Sequence, residues 1–185
     1  MEDIEILRNL VLAPYIIKAT ALIGVKRRVG GNQFRHAFAT LGILLDYKYF
    51  SDAVLLKASV IHDLIEDVPE TDQWALRRID SQANEVVDLV LEVTRPSSEE
   101  KSDYLNRILL HGTHNAKLLK VSDRISNLTD LHRDIDPDHK ILDYLDQTEK
   151  YVLPMAQQVN ADMVIELTDL IQRRRTLVAL QNGIL

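Results

Sequence analysis

The stretch His62-Asp63-Leu64-Ile65-Glu66-Asp67 decides the reading of this chain. It follows Val54-Leu55-Leu56 and Ala58-Ser59-Val60-Ile61, which have the character of a core helix rather than a surface one. A helix opening at Ser51 or Asp52, both good N-caps, carries Val54, Ala58, Ile61 and Ile65 on one stripe. It stops before Pro69, which cannot continue the hydrogen-bond ladder. Residues three and four apart share a helix face, so His62 sits above Glu66 and Asp63 above Asp67. One imidazole and three carboxylates thus converge within about one turn. The acids repel one another, and the dipole of a helix C-terminus disfavours them. A bound cation would relieve both penalties. The competing reading is a frayed, solvated acidic helix end.

Outward from this stretch, strand signals are nearly absent and helical periodicity is everywhere. The pattern predicts helices over about Asp3–Ile23 (bent at Pro14), Phe34–Lys48, Thr71–Arg78, Ser81–Val93, Glu99–Leu110, Asn115–Leu131, Asp138–Asn160 and Ala161–Gln181. Lys26–Gln33 is a loop centred on Gly30-Gly31. With no repeat, linker or low-complexity segment, the economical reading is one all-α helical bundle over residues 1–185. A chain of 185 residues that is 46% hydrophobic has ample material for one core.

Composition narrows the function. The chain has no cysteine, which removes disulfides, thiolate metal sites and cysteine nucleophiles together and fits a cytoplasmic location. MEDIEILRNL has early acids and no basic segment followed by an apolar run, so it does not read as a secretory signal. No stretch approaches the roughly 20 apolar residues of a membrane helix. The net charge of −6 gives no general attraction to nucleic acid or anionic lipid. An anionic small molecule would need local positive charge, from a metal or from Lys26-Arg27-Arg28. The plain alternative for that trio is a solvated basic loop.

Two further positions join the acidic stretch. His36 opens the preceding helix, beside Arg35; taken alone it is a surface or core-edge histidine. Asp123 lies in Lys120-Val121-Ser122-Asp123-Arg124, inside an apolar-periodic helix, and shares a face with Asn127. Taken alone it pairs with Arg124 or Lys120. Together, a histidine, a His-Asp pair and a distant aspartate on three predicted helices form the signature of the HD superfamily. Two imidazoles and two carboxylates make a mixed N/O donor set that suits Mn²⁺, Fe²⁺, Zn²⁺ or Mg²⁺.

The chain also resembles the hydrolase domain of the RelA/SpoT homologues, over roughly Val25 to Ala156. Arg27-Arg28-Val29-Gly30 followed by His36 is similar to their Arg-Lys-x-Gly…His stretch, and His62–Asp67 to their HDxxED. Val93-Thr94 lies where they keep a Val-Thr pair. Ala116–Leu128 looks like their lysine-rich K-L-A-D-R-x-x-N helix, and Tyr151–Ala156 like their Tyr-x-Pro-Leu-Ala turn with one residue more. The resemblance implies a stand-alone small alarmone hydrolase. Such an enzyme removes pyrophosphate from the 3′ position of (p)ppGpp and leaves GDP or GTP. It implies Mn²⁺ held by His36, His62, Asp63 and Asp123, with Glu66 and Asp67 as the catalytic pair. Arg27 maps onto an arginine that packs on the guanine base, and Asn127 onto a nucleotide-contacting asparagine. Lys101 is a candidate phosphate contact and Arg28 a second one. For Tyr151 a packing role is the expectation.

The resemblance has departures. The family's Pro-Tyr-x-x-His-Pro reads Asn32-Gln33-Phe34-Arg35-His36-Ala37 here, and Arg28 replaces a lysine. These positions border the base and ribose. They keep open other HD substrates: an adenine alarmone, NADPH as a 2′-phosphate donor, or a deoxynucleoside monophosphate. A helical regulatory protein with a vestigial site is the reading from outside enzymology.

Overall fold

The structure, a computed structural model, describes residue 5 and residues 7–181. Among the described residues it is helical, with an isolated bridge between Lys26 and Asn32 as its only strand-like pairing. No helix of the described residues is long and apolar enough to cross a membrane. The chain forms two compact units. One takes in the residues up to Lys26 together with Asn32–Glu99; the other takes in Arg27–Gly31 together with Glu100 onward.

The first unit contains α1 (Ala13–Ala19), a 3₁₀ turn (Thr20–Gly24), α2 (Gln33–Asp46), α3 (Ala53–Ile61), α4 (Leu64–Asp67), α5 (Gln73–Leu76) and α6 (Ala83–Val93). Pro14 opens α1 rather than bending a longer helix, because its missing N–H costs nothing in a first turn. The predicted helix start at Asp3 lies outside the described residues. Asp52 caps α3 as expected, its carboxylate accepting from the Leu55 amide at 2.9 Å, and Asn32 caps α2 in the same way through the Arg35 amide at 3.0 Å.

Helix α3 packs against α1, α2 and α6 and is buried on all sides from Leu55 to Ile61. That burial includes Lys57, whose ammonium donates to Asp80 and to Gln82, each at 2.7 Å. Tyr15 donates to the same Asp80 carboxylate at 3.0 Å. Partial burial works against the Asp80 charge. Hydrogen bonds from Lys57, Tyr15 and the Gln82 amide outweigh it and hold the carboxyl below its usual range. Burial, then Asp80, pushes the Tyr15 hydroxyl up, so it remains a donor.

The second unit contains α7 (Lys101–His111), α8 (His114–Asp130), a 3₁₀ turn (Leu131–Arg133), α9 (Asp138–Gln147), α10 (Leu153–Val159) and α11 (Ala161–Gln181). Helix α8 packs against α10 and α11. The single helix expected over Asp138–Asn160 is interrupted by a π-helical turn, Thr148–Val152. Pro154 explains it: proline has no N–H for the Lys150 carbonyl, and its ring would clash there in an α-helix, so the turn widens ahead of it. Tyr151 is buried in this turn, in keeping with packing. Arg174 of α11 donates to the carbonyls of Leu128 (2.8 Å) and Thr129 (2.7 Å) at the end of α8, adding to the Leu131 amide that already bonds Leu128.

The Lys57–Asp80 pair makes an ordered prediction for stability. Asp80→Ala strands a buried ammonium and is expected to cost about 3 kcal/mol in chemical denaturation. Lys57→Met removes the buried charge and should cost less; the reverse order would show that the pair is not what holds α3.

Candidate functional site

In the first unit, the sequence stretch that suggested one continuous helix is broken. Helix α3 ends at Ile61, His62 and Asp63 form a turn, and Leu64–Asp67 is a new helical turn, with the Asp67 amide bonded to the Asp63 carbonyl at 2.9 Å. Glu66 and Asp67 therefore lie on a separate single turn rather than at the end of a long helix, so the dipole of a long helix does not act on them.

The break brings three donors together. Asp63 Oδ2 lies 3.2 Å from His62 Nε2 and 3.6 Å from His36 Nε2. The two rings meet edge-on, with centroids 5.3 Å apart and planes at 64°. Both histidines are buried. His62 Nδ1 lies 2.8 Å from the Ser59 carbonyl. A carbonyl only accepts, so Nδ1 carries the proton and a neutral ring presents its lone pair at Nε2, toward Asp63.

Those spacings fit one cation. Two ligands each about 2.1 Å from an ion lie about 3.0 Å apart at an octahedral right angle and about 3.4 Å apart at a tetrahedral one. Without a proton or a cation, the imidazole lone pair and the carboxylate oxygen repel each other. The donor set of this unit therefore suits a divalent metal.

The paired acids differ in environment. Glu66 is exposed, and its Oε2 accepts from the Arg95 amide at 3.0 Å. Asp67 is half-buried and accepts from Gln33 Nε2 at 2.8 Å. Burial first, and then the Asp63 charge, raise the Asp67 pKa despite the Gln33 bond. Gln33 was not singled out from the sequence as a site residue. Its three-residue offset from His36 on α2 is the signal that was available.

In the second unit, Asp123 lies on α8 and is buried. It pairs with Lys120, as its plainer sequence reading expected: Lys120 Nζ donates to Oδ2 at 2.7 Å. Asn127 Nδ2 donates to Oδ1 at 2.6 Å. Burial works against the Lys120 charge, but Asp123 more than offsets it and keeps the ammonium protonated. Arg124 points elsewhere, donating to Thr148 Oγ1 at 2.8 Å, with its guanidinium 4.0 Å from the centre of the Tyr144 ring.

Arg27 and Arg28 belong to this unit as well. Gly30 and Gly31, with φ of +86° and +74°, make the tight turn that presents them, closed by bonds between Arg27 and Gly31 (3.3 Å) and between Gly30 and Arg27 (3.1 Å). Arg27 donates to Asn127 Oδ1 at 2.6 Å and to Asp130 at 3.4 Å, with its side chain only 10% exposed. Arg28 is 65% exposed and pairs with Asp134 (3.6 Å) and Asp136 (3.2 Å). Lys101 is exposed, its ammonium 4.8 Å from the centre of the Tyr144 ring. Asp130 was not singled out from the sequence; it continues the face of α8 that carries Asp123 and Asn127.

No protein-family model matches the chain. It is 26% identical over 149 residues to guanosine-3′,5′-bis(diphosphate) 3′-pyrophosphohydrolase MESH1 of Mus musculus, a match covering 78% of this chain and 82% of that protein. The Homo sapiens protein of the same name matches at the same identity and coverage. A solved metazoan orthologue of SpoT, described as hydrolysing ppGpp and acting in starvation responses, superposes with a TM-score of 0.73 at 21% identity, over 94% of this chain and 96% of that one. The chain is thus similar in sequence to two proteins named as ppGpp 3′-pyrophosphohydrolases and shares its fold with the SpoT orthologue. The all-α fold class expected from the sequence is borne out, and so is the resemblance.

The raised Asp67 pKa has a consequence for stability when no metal is bound. An acid whose folded pKa lies above its unfolded value stabilises fully below the unfolded pKa, and that contribution is lost as pH rises through the folded pKa. In EDTA, Asp67→Asn should therefore melt higher than wild type at pH 7, and the two should converge near pH 4. Equal melting curves at pH 7 would show that Asp67 is not held in a strained charged state.

Proposed function

We propose that this protein is a metal-dependent (p)ppGpp 3′-pyrophosphohydrolase that releases pyrophosphate and GDP or GTP. The observation that carries the reading is the donor cluster of His36, His62 and Asp63, with His62 fixed in the ligating tautomer by the Ser59 carbonyl. The kinship with proteins named for this reaction supports the substrate. We take the ion to be Mn²⁺, with His36, His62, Asp63 and Asp123 as its protein ligands and residues 1–185 acting as one catalytic domain. Such an ion supplies Lewis acidity, lowering the pKa of water and drawing charge from a phosphoryl oxygen.

The protein's own groups do the rest. Asp67, with its raised pKa, accepts the proton of the attacking water. A base with a pKa nearer the working pH is better matched to that task than an ordinary aspartate. Glu66, anchored on the Arg95 amide, orients the same water. Water attacks the phosphorus bonded to the 3′ oxygen, the bond to that oxygen breaks, the 3′ oxygen leaves as a hydroxyl by taking up a proton from Asp67 or solvent, and pyrophosphate carrying the water oxygen is released.

Arg27 has both guanidinium nitrogens committed to Asn127 and Asp130, which leaves the planar faces of the group for a nucleobase. Asn127 contacts the nucleotide beside it. Arg28 and Lys101 meet phosphate, supplying positive charge that a chain of net charge −6 otherwise lacks. A small nucleotide in the cytoplasm is the proposed partner, in the setting of the stringent response, rather than nucleic acid or membrane.

A substrate panel with Mn²⁺ tests this, with pyrophosphate and phosphate release followed separately. The expected result is pyrophosphate from ppGpp and pppGpp, with Asp67→Asn lowering kcat by about 100-fold or more. Gln33→Leu removes a bond that lowers the Asp67 pKa, so the acid limb of the pH–rate profile should move to higher pH. Phosphate release from NADPH or a deoxynucleoside monophosphate, with ppGpp untouched, would overturn the substrate. Full activity of Asp123→Ala would overturn the ligand set.

A further inference from the structure

Three side chains of the second unit form an unbroken relay. Arg27 donates to Asn127 Oδ1 at 2.6 Å, and Asn127 Nδ2 donates to Asp123 Oδ1 at 2.6 Å. The orientation of the amide is forced at both ends. A guanidinium offers only donors, so it must face the amide oxygen; an ionised carboxylate offers only acceptors, so it must face the amide nitrogen. An aliphatic side chain can make neither bond.

The relay sits in a place where such bonds are strong. Asp123 is buried, Arg27 is 10% exposed, and charge-assisted hydrogen bonds gain in a low dielectric. Lys120 takes the other carboxylate oxygen at 2.7 Å, so Asp123 is gripped on both oxygens and its plane cannot rotate without losing one bond. Asp130, three residues beyond Asn127 on α8, is the second anchor of Arg27.

We propose that Asn127 is a positioning residue: it transmits the placement of Arg27 to the carboxylate of Asp123 and so sets how well that carboxylate holds a metal. This rests on the reading of Asp123 as a metal ligand and adds to it a role for Asn127 distinct from touching the nucleotide. Groups that hydrogen-bond a ligating carboxylate fix its aim, and removing one characteristically weakens metal binding. Because Arg27 reaches Asp123 through Asn127, the arginine affects the ion without approaching it, and only while Asn127 is present.

The test is Mn²⁺ titration of the full chain by calorimetry, with the EPR signal of free Mn²⁺ as a second readout and no substrate present. Asn127→Leu should weaken Mn²⁺ binding by about 10-fold or more. Asn127→Ser, too short to span both partners, should do the same, and it carries the test if the leucine variant does not fold. Arg27→Ala should give a smaller loss, and the Asn127→Leu/Arg27→Ala double variant should bind no more weakly than Asn127→Leu alone. Wild-type affinity in both Asn127 variants, or losses that multiply in the double variant, would overturn the relay. Asp123→Ala separates the two levels. If it abolishes tight Mn²⁺ binding while the Asn127 variants bind normally, the ligand stands and the relay falls; if it binds Mn²⁺ normally, both fall.

Discussion

A lone pair facing a carboxylate is the constraint on which this site depends. His62 cannot relieve it by turning its N–H toward Asp63, because that proton is held by the Ser59 carbonyl one turn back on a fully buried helix. His36 brings a second ring nitrogen to the same oxygen. A cation among the three would be met by the His62 lone pair and the Asp63 carboxylate together. An ion that binds only the folded chain also stabilises it, by about 2.7 kcal/mol at 100 times its dissociation constant. The rigidity of α3, pinned by Lys57 and Asp80, keeps the cluster from relaxing by moving apart.

The helix break after Ile61 leaves the neighbouring acids in separate surroundings. In one continuous helix, Asp63 and Asp67 would stack with Glu66 between them, three charges on one face. The turn at His62-Asp63 separates the acids from α3 but keeps Asp63 close enough to act on Asp67. It leaves Glu66 exposed on a backbone amide and turns Asp67 into a half-buried carboxyl tied to Gln33. Burial and the nearby Asp63 charge make Asp67 hold its proton longer than an ordinary aspartate.

Much of this was legible in the sequence. The 3.6-residue periodicity gave the helices because nearly every one buries an apolar face, and the caps Asp52 and Asn32 work through local bonds that need no tertiary context. The break inside His62–Asp67 was not legible, since no proline or glycine marks it. What ends α3 there is the surroundings of His62, including a carbonyl already bonded to the imidazole. The π turn before Pro154 was half legible: proline announced a disturbance, but whether the helix stops or widens depends on packing. Gln33 and Asp130 escaped notice because a polar residue three positions from a suspected ligand is common on any helix. Only coordinates show which one points inward.

Arg27 and Arg28 are adjacent in sequence and alike in charge, yet the structure gives them different capacities. Arg27 is nearly buried, with both ends of its guanidinium bonded to α8, and moving it would take the donor from Asn127 Oδ1 and leave Asp130 to Arg133. Arg28 is mostly exposed, and its pairs with Asp134 and Asp136 are long. The guanidinium is exposed but its partners are not, Asp134 and Asp136 being only 6% and 20% exposed, so an incoming phosphate would have to compete with two carboxylates for it. On the proposed function, the held plane of Arg27 would select by shape and stacking, whereas Arg28 would offer its charge to a phosphorylated nucleotide, whatever base is attached.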